Sequence, residues 1–269
     1  KVITSLFFYH PSNMTTFSKY VGIHYSGLKA PVSRLPQLQV FECLIGSEPA
    51  KVEPYDAAAR YWCRKEVGKY IRELLLSENE VIIGVDHSFS FPESYFLDHT
   101  LPDWGTFLEY FTDRWPAHYD HMYVDFLRKK NPILGDTRDL RLCEKWSSNV
   151  KSIFSSGVCA DESRSSLAGL PWLKELRCDP KLSERVQFWP FDDFFIEPQH
   201  SVIAEVNSSL FRNRYSIEGR ESHDHDAYSI ARWLQEMDCR GALSTYFNPP
   251  LTLPERRIAA LEGWILGVR

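Results

Sequence analysis

The sequence predicts an α/β protein built on a mixed sheet flanked by helices, and three observations carry that expectation. The run Val81-Ile82-Ile83-Gly84-Val85 is short, rich in β-branched residues and bounded by polar ones, the pattern of a strand buried on both faces of a sheet. Two further strand-like runs precede it, joined by a short link, which favours an antiparallel pair. A helical pattern then separates that pair from Val81, and a helix between strands is the crossover that a parallel neighbour needs.

In chain order, residues 1–18 are expected to be an N-terminal extension. The opening nine residues hold one basic group and a short apolar patch, and no small-residue cleavage site of a signal peptide follows. Residues 19–27 read as a first strand closed by a Ser26-Gly27 turn, and residues 38–44 as a second. From Tyr55-Asp56 onward, Ala59, Trp62, Val67, Tyr70, Ile71, Leu74 and Leu75 recur at helical spacing. After the strand at Val81, residues 93–183 are mostly helical, with Phe107, Tyr110, Phe111, Trp115, Tyr119, Tyr123 and Phe126 as aromatic stripes that read as core. Ser155-Ser156-Gly157 is a break in that stretch, and a helix is expected from about Leu167, with Pro171 in its first turn. Short strands follow at residues 186–191 and 201–206, then a helix opening on Glu221-Ser222-His223-Asp224-His225-Asp226, and an amphipathic tail from Pro254. Residues 19–269 are accordingly expected to form one domain, with 93–183 inserted into its sheet.

Composition narrows the function. Of 269 residues, 43% are hydrophobic and 25% charged, as in ordinary globular proteins. The net charge of −5 does not support sequence-blind nucleic-acid binding, which depends on many Lys and Arg contacts to phosphate, although a local basic groove is compatible with it. The six cysteines form no CxxC pair, which fits a reducing compartment, hence a cytoplasmic protein, better than a disulfide framework or a zinc site. No apolar run reaches the ~20 residues that span a bilayer, so no membrane partner is expected.

The candidate chemistry lies at strand ends. A buried strand delivers Asp86 to the carboxyl edge of the sheet, where open α/β sheets bind ligands; the same residue also suits a turn cap. His24 ends the first strand and Glu205 the late one, while Asp226 lies in the first turns of the late helix. Converging carboxylates repel one another unless a cation joins them, so the expected occupant is Mg²⁺ or Mn²⁺, and the expected chemistry is metal-assisted phosphodiester hydrolysis. His24 suits either a metal ligand or a hydrogen-bonded strand end. Arg138, Arg141, Lys145, Arg212 and Arg214 are available to meet phosphates, with ordinary surface charge as the default for each.

The order of strand, strand, helix, strand ending in Asp and late helix bearing Asp-Ala resembles the ribonuclease H-like superfamily. Within it, the chain resembles the DUF429 family of predicted nucleases. The segments that carry this are Val21-Gly22-Ile23-His24-Tyr25-Ser26-Gly27, Ile83-Gly84-Val85-Asp86-His87-Ser88-Phe89-Ser90-Phe91-Pro92, Phe188-Trp189-Pro190-Phe191, Ala204-Glu205-Val206, His223-Asp224-His225-Asp226-Ala227 and Glu262-Gly263-Trp264-Ile265-Leu266-Gly267-Val268. The resemblance implies metal-ligand roles for Asp86, Glu205 and Asp226, with Asp224 as a helper. It departs at His24, where the superfamily has Asp, and at Val206-Asn207-Ser208, where the family pattern continues with Tyr-Pro. Two other readings stand beside a nuclease: a catalytically inactive member binding a nucleic acid or a protein, and an unrelated hydrolase holding zinc or iron through His223 and His225.

Overall fold

The computed structural model describes residues 16–77, 80–133, 135–147, 152–154 and 161–269. The elements are β1 (Lys19–His24), β2 (Gln39–Leu44), β3 (Ala50–Lys51), α1 (Arg64–Ser77), β4 (Val81–Asp86), α2 (Glu93–Asp98), α3 (Trp104–Arg114), α4 (Val124–Lys130), α5 (Leu142–Trp146), α6 (Asp161–Arg177), β5 (Val186–Trp189), β6 (Ser201–Glu205), α7 (Ser222–Cys239), α8 (Leu243–Phe247) and α9 (Leu253–Glu262). Six strands form one mixed sheet in the order β3-β2-β1-β4-β6-β5. The β1–β2 and β2–β3 pairs are antiparallel, while β4 lies parallel to β1, and β6 parallel to both β4 and β5.

Residue parity along the strands divides the core into two layers. Val21, Ile23, Ile83, Val85 and Ile203 enter the layer shared with α1 and the helices after β4, where Phe91, Phe107, Phe111 and Trp115 are buried. Tyr20, Ile82, Val202 and Ala204 enter the opposite layer, against Ala227, Ile230, Ala231 and Leu234 of α7. On that second face Gly22 and Gly84 let the helix come close. A Cβ at Gly22 would sit 2.2 Å from the Ala227 carbonyl oxygen, and one at Gly84 would sit 2.7 Å from Cγ2 of Ile230.

Several expected boundaries move. The helix expected from Tyr55 begins at Arg64, because Trp62 gives its indole N–H to the Val52 carbonyl and holds the preceding segment as loop. Pro171 lies well inside α6 rather than in its first turn; burial of Leu167, Ala168, Leu170 and Leu173 offsets the missing N–H. The strand β1 stops at His24 and β5 at Trp189, before Pro190. Of the aromatic stripe, Phe107, Phe111 and Trp115 are buried, but Tyr119, Tyr123 and Phe126 are exposed. The expected break at Ser155-Ser156-Gly157 and residues 1–15 of the expected extension lie outside the described residues. Among the described residues no helix is long and apolar enough to cross a membrane, and Cys43, Cys63, Cys143, Cys178 and Cys239 are free.

Because the Gly22 contact is with helix backbone, the clash cannot be relieved by a rotamer change. Gly22→Ala is expected to destabilise the protein by about 3 kcal/mol, the upper end of ordinary overpacking, measured by urea unfolding.

Candidate active site at the strand tips

The parallel register sets His24 directly beside Asp86, on the sheet face that α7 covers. The first turns of α7 place His223 and Asp226 against them, three residues apart and therefore on one side of the helix. His24 Nδ1 lies 3.3 Å from Asp86 Oδ2 and 3.9 Å from Asp226 Oδ2. Its Nε2 lies 3.0 Å from His223 Nδ1, and the two rings stack at 23° with centroids 4.9 Å apart. Asp226 is buried, and its Oδ1 forms no hydrogen bond although an Arg212 guanidinium nitrogen is 3.0 Å away.

Electrostatics follow from this packing. Burial opposes a charge on His24, but the hydrogen bond and negative charge of Asp86, with the charge of Asp226, outweigh it and raise the pKa. The His223 pKa is lowered, by burial and then by the charge of His24. Burial raises the Asp226 pKa, with His24, Arg212 and a hydrogen bond from Ser208 opposing it.

The expected carboxylate cage does not assemble. Glu205 pairs in register with Val85, one residue short of Asp86, so its side chain leaves the opposite face of the sheet. There it takes both ends of the Arg141 fork, at 2.5 Å on Oε1 and 2.8 Å on Oε2, and the Phe89 N–H at 2.9 Å. Asp224 is turned outward to Lys51 at 2.9 Å. Asp86 and Asp226 are thus the carboxylates of the expected set that share this site, and an imidazole lies between them. His225 does not face it either, since its Nε2 meets the Arg212 carbonyl at 3.0 Å.

Arg141 is the residue that sequence reasoning misjudged most. Surface charge is its default expectation, yet it is 1% exposed. All five of its N–H groups have acceptors: Glu144 on Nε, Glu205 and the Glu262 carbonyl on one terminal nitrogen, Glu205 and Ser88 Oγ on the other. Through Ser88 and the Glu205–Phe89 contact it holds the turn that follows Asp86. Arg138 and Arg214 pair with Asp136 and Glu236 at the surface, and Lys145 is exposed. Arg212 is therefore the member of the basic set that reaches the site. His87, next to Asp86, is buried between Tyr25 and Phe89 and directly over Gly169, where a Cβ would lie 2.3 Å from its Nε2.

No family model matches the chain, and neither a curated protein nor a solved structure does.

Two outcomes follow from these buried groups. Arg141→Met would leave Glu205 and Glu144 buried without their cation and is expected to cost about 3–5 kcal/mol in urea unfolding; adding Glu205→Gln should recover part of the loss. Burial also lowers the His87 pKa from 6.5 to about 4. The unfolded chain then takes up that proton first on acidification, so stability present above pH 6.5 is lost as pH falls towards 4. The loss at His87 amounts to about 3 kcal/mol. His87→Gln should flatten the stability–pH curve across that interval.

Proposed function

We propose that the chain is a hydrolase of phosphoesters, of the nuclease type implied by its resemblance to the DUF429 family, with a ribonuclease H-like sheet as its scaffold. The observation that carries this reading is the convergence, at the tips of two parallel strands, of His24, Asp86, His223 and Asp226 beside the partly exposed Arg212. The antiparallel β1–β2 pair, the parallel β4 and the late helix laid over β1 support the scaffold.

Each group has a task that this geometry suits. Phosphoester hydrolysis needs activation of a water and neutralisation of charge on the non-bridging oxygens. Arg212 offers a planar fork of donors suited to phosphate. Asp86 fixes the tautomer and orientation of His24 through Nδ1, and the two imidazoles have opposite pKa shifts, so that His24 holds a proton more firmly and His223 less firmly than an ordinary histidine. The Mg²⁺ cage implied by the resemblance does not fit, because Glu205 and Asp224 are committed to Arg141 and Lys51.

A second reading is a binding protein that has lost catalysis. One specific observation favours it: each carboxylate of the expected set already has a nitrogen group of the protein beside it, Asp86 with His24, Asp226 with Arg212, Asp224 with Lys51 and Glu205 with Arg141.

Cleavage of labelled single-stranded DNA, duplex DNA, RNA, RNA–DNA hybrid and a small phosphodiester separates the two. The natural chain is expected to cleave at least one of them. Asp86→Asn and Arg212→Ala should each slow it by about 100-fold, the scale of losing one oriented stabilising group. Cleavage gained only in His24→Asp with Mg²⁺ would instead identify an inactive member of the same fold.

A further inference from the structure

We propose that His24, His223 and Asp226 form a binding site for a single divalent transition metal of the Zn²⁺ or Co²⁺ kind, with Asp86 orienting His24 rather than ligating the ion. The site goes beyond the hydrolase reading, since it holds whether or not the chain cleaves anything.

Asp86 lies on the Nδ1 side of His24 at 3.3 Å, so that nitrogen carries the hydrogen and Nε2 carries a lone pair. This is the arrangement in which metal-binding histidines are usually found, the non-ligating N–H being held by a carboxylate that fixes the ring and raises its basicity. His223 Nδ1 then lies 3.0 Å from that lone pair. Two ring nitrogens at this distance are joined either by a hydrogen bond, one ring donating its N–H to the other's lone pair, or by a cation that both ligate.

Asp226 adds a third donor, which a cation can use and a proton shared by the two rings cannot. One ligand atom from each of His24, His223 and Asp226 falls within 4.8 Å of the others, a spread that small side-chain rotations close to the ligand separations of one ion at ~2.0–2.2 Å from each. The Asp226 side chain is buried and turns Oδ2 toward His24, 3.9 Å from Nδ1; a hydrogen bond between the two histidines alone gives that buried carboxylate no part. Arg212 stands beside it at 3.0 Å, as an outer partner of a ligating carboxylate does.

The chemistry of the donors selects the ion. Two imidazoles and one carboxylate suit Zn²⁺, Co²⁺, Ni²⁺ or Fe²⁺, whereas Mg²⁺ takes oxygen ligands and sheds its waters reluctantly. Three protein ligands leave a further position for water or substrate, as in catalytic rather than structural sites.

The test uses the full chain stripped with chelator and dialysed. Co²⁺ is titrated with visible absorption as the readout, and Zn²⁺ and Mg²⁺ by calorimetry. The expected result is one Co²⁺ or Zn²⁺ per chain, and no Mg²⁺ heat over the same concentrations. His223→Ala, at a partly exposed position, and Asp226→Asn should weaken Co²⁺ binding by about 100-fold or more, and Asp86→Asn by about 10–100-fold. Metal-free melting of His223→Ala should be unchanged, so that loss of binding is not loss of fold. Absence of a Co²⁺ band, binding that survives His223→Ala, or Mg²⁺ binding of equal strength would overturn the proposal. Co²⁺ binding without cleavage of any substrate would leave this site standing and remove the hydrolase reading; cleavage without Co²⁺ binding would do the reverse.

Discussion

The contact on which the site depends is the approach of α7 to the backbone of β1. Gly22 and Gly84 remove two side chains where the helix crosses, so that the Ala227 carbonyl and the Ile230 side chain fill the space. Without that approach the first turns of α7 would stand a side chain's thickness farther from the sheet, and His223 and Asp226 would not reach His24. Packing density in a protein interior leaves little freedom to adjust such a distance. The geometry of the candidate site is thus a consequence of two missing Cβ atoms, one two residues before His24 and the other two before Asp86.

Behind the sheet, a second constraint holds the turn after Asp86. Arg141 gathers Glu144, Glu205, Ser88 and the Glu262 carbonyl around one guanidinium. Glu262 extends the network by accepting N–H groups from Glu93 and Leu142. A fully satisfied network of this kind is rigid, and a partly satisfied one is costly. It ties α2, α5, β6 and the end of α9 together just beneath the strand tips. Fixing this turn limits how far the Asp86 carboxylate can move from His24.

Much of this was legible in the sequence, and the failures have definable causes. The apolar run before Asp86 marked a buried strand, and the helix before it marked a parallel neighbour; both are local patterns with one physical reading. Glu205 also ends an apolar run, and the error there is one of register. Sequence shows that a carboxylate follows Val202-Ile203-Ala204, but pairing with β4 decides which face it leaves, and a shift of one residue reverses that face. The inward turn of Arg141 is not legible locally, because Asp136-Thr137-Arg138-Asp139 before it is a polar loop and nothing nearby distinguishes an arginine that turns inward. Its acceptors come from positions as distant as Glu205 and Glu262, so its burial is a property of the tertiary fold alone.

The late helix offers a sharper lesson, because its four consecutive polar residues divide by helical geometry. His223 and Asp226 are three apart and share a face; Asp224 and His225 fall on others and find Lys51 and the Arg212 carbonyl instead. Applied to the sequence, that spacing singles out His223 as the companion of Asp226, and the parity of β1 and β4 singles out His24 with Asp86. The two periodicities are independent, one of 3.6 residues and one of 2, yet they select side chains that meet. Where they meet, a histidine stands between two carboxylates. An aspartate at that position would have added a third negative charge and called for a hard cation. The imidazole supplies a cation when protonated and a nitrogen ligand when neutral, so this one residue changes which partners the whole cluster can accept.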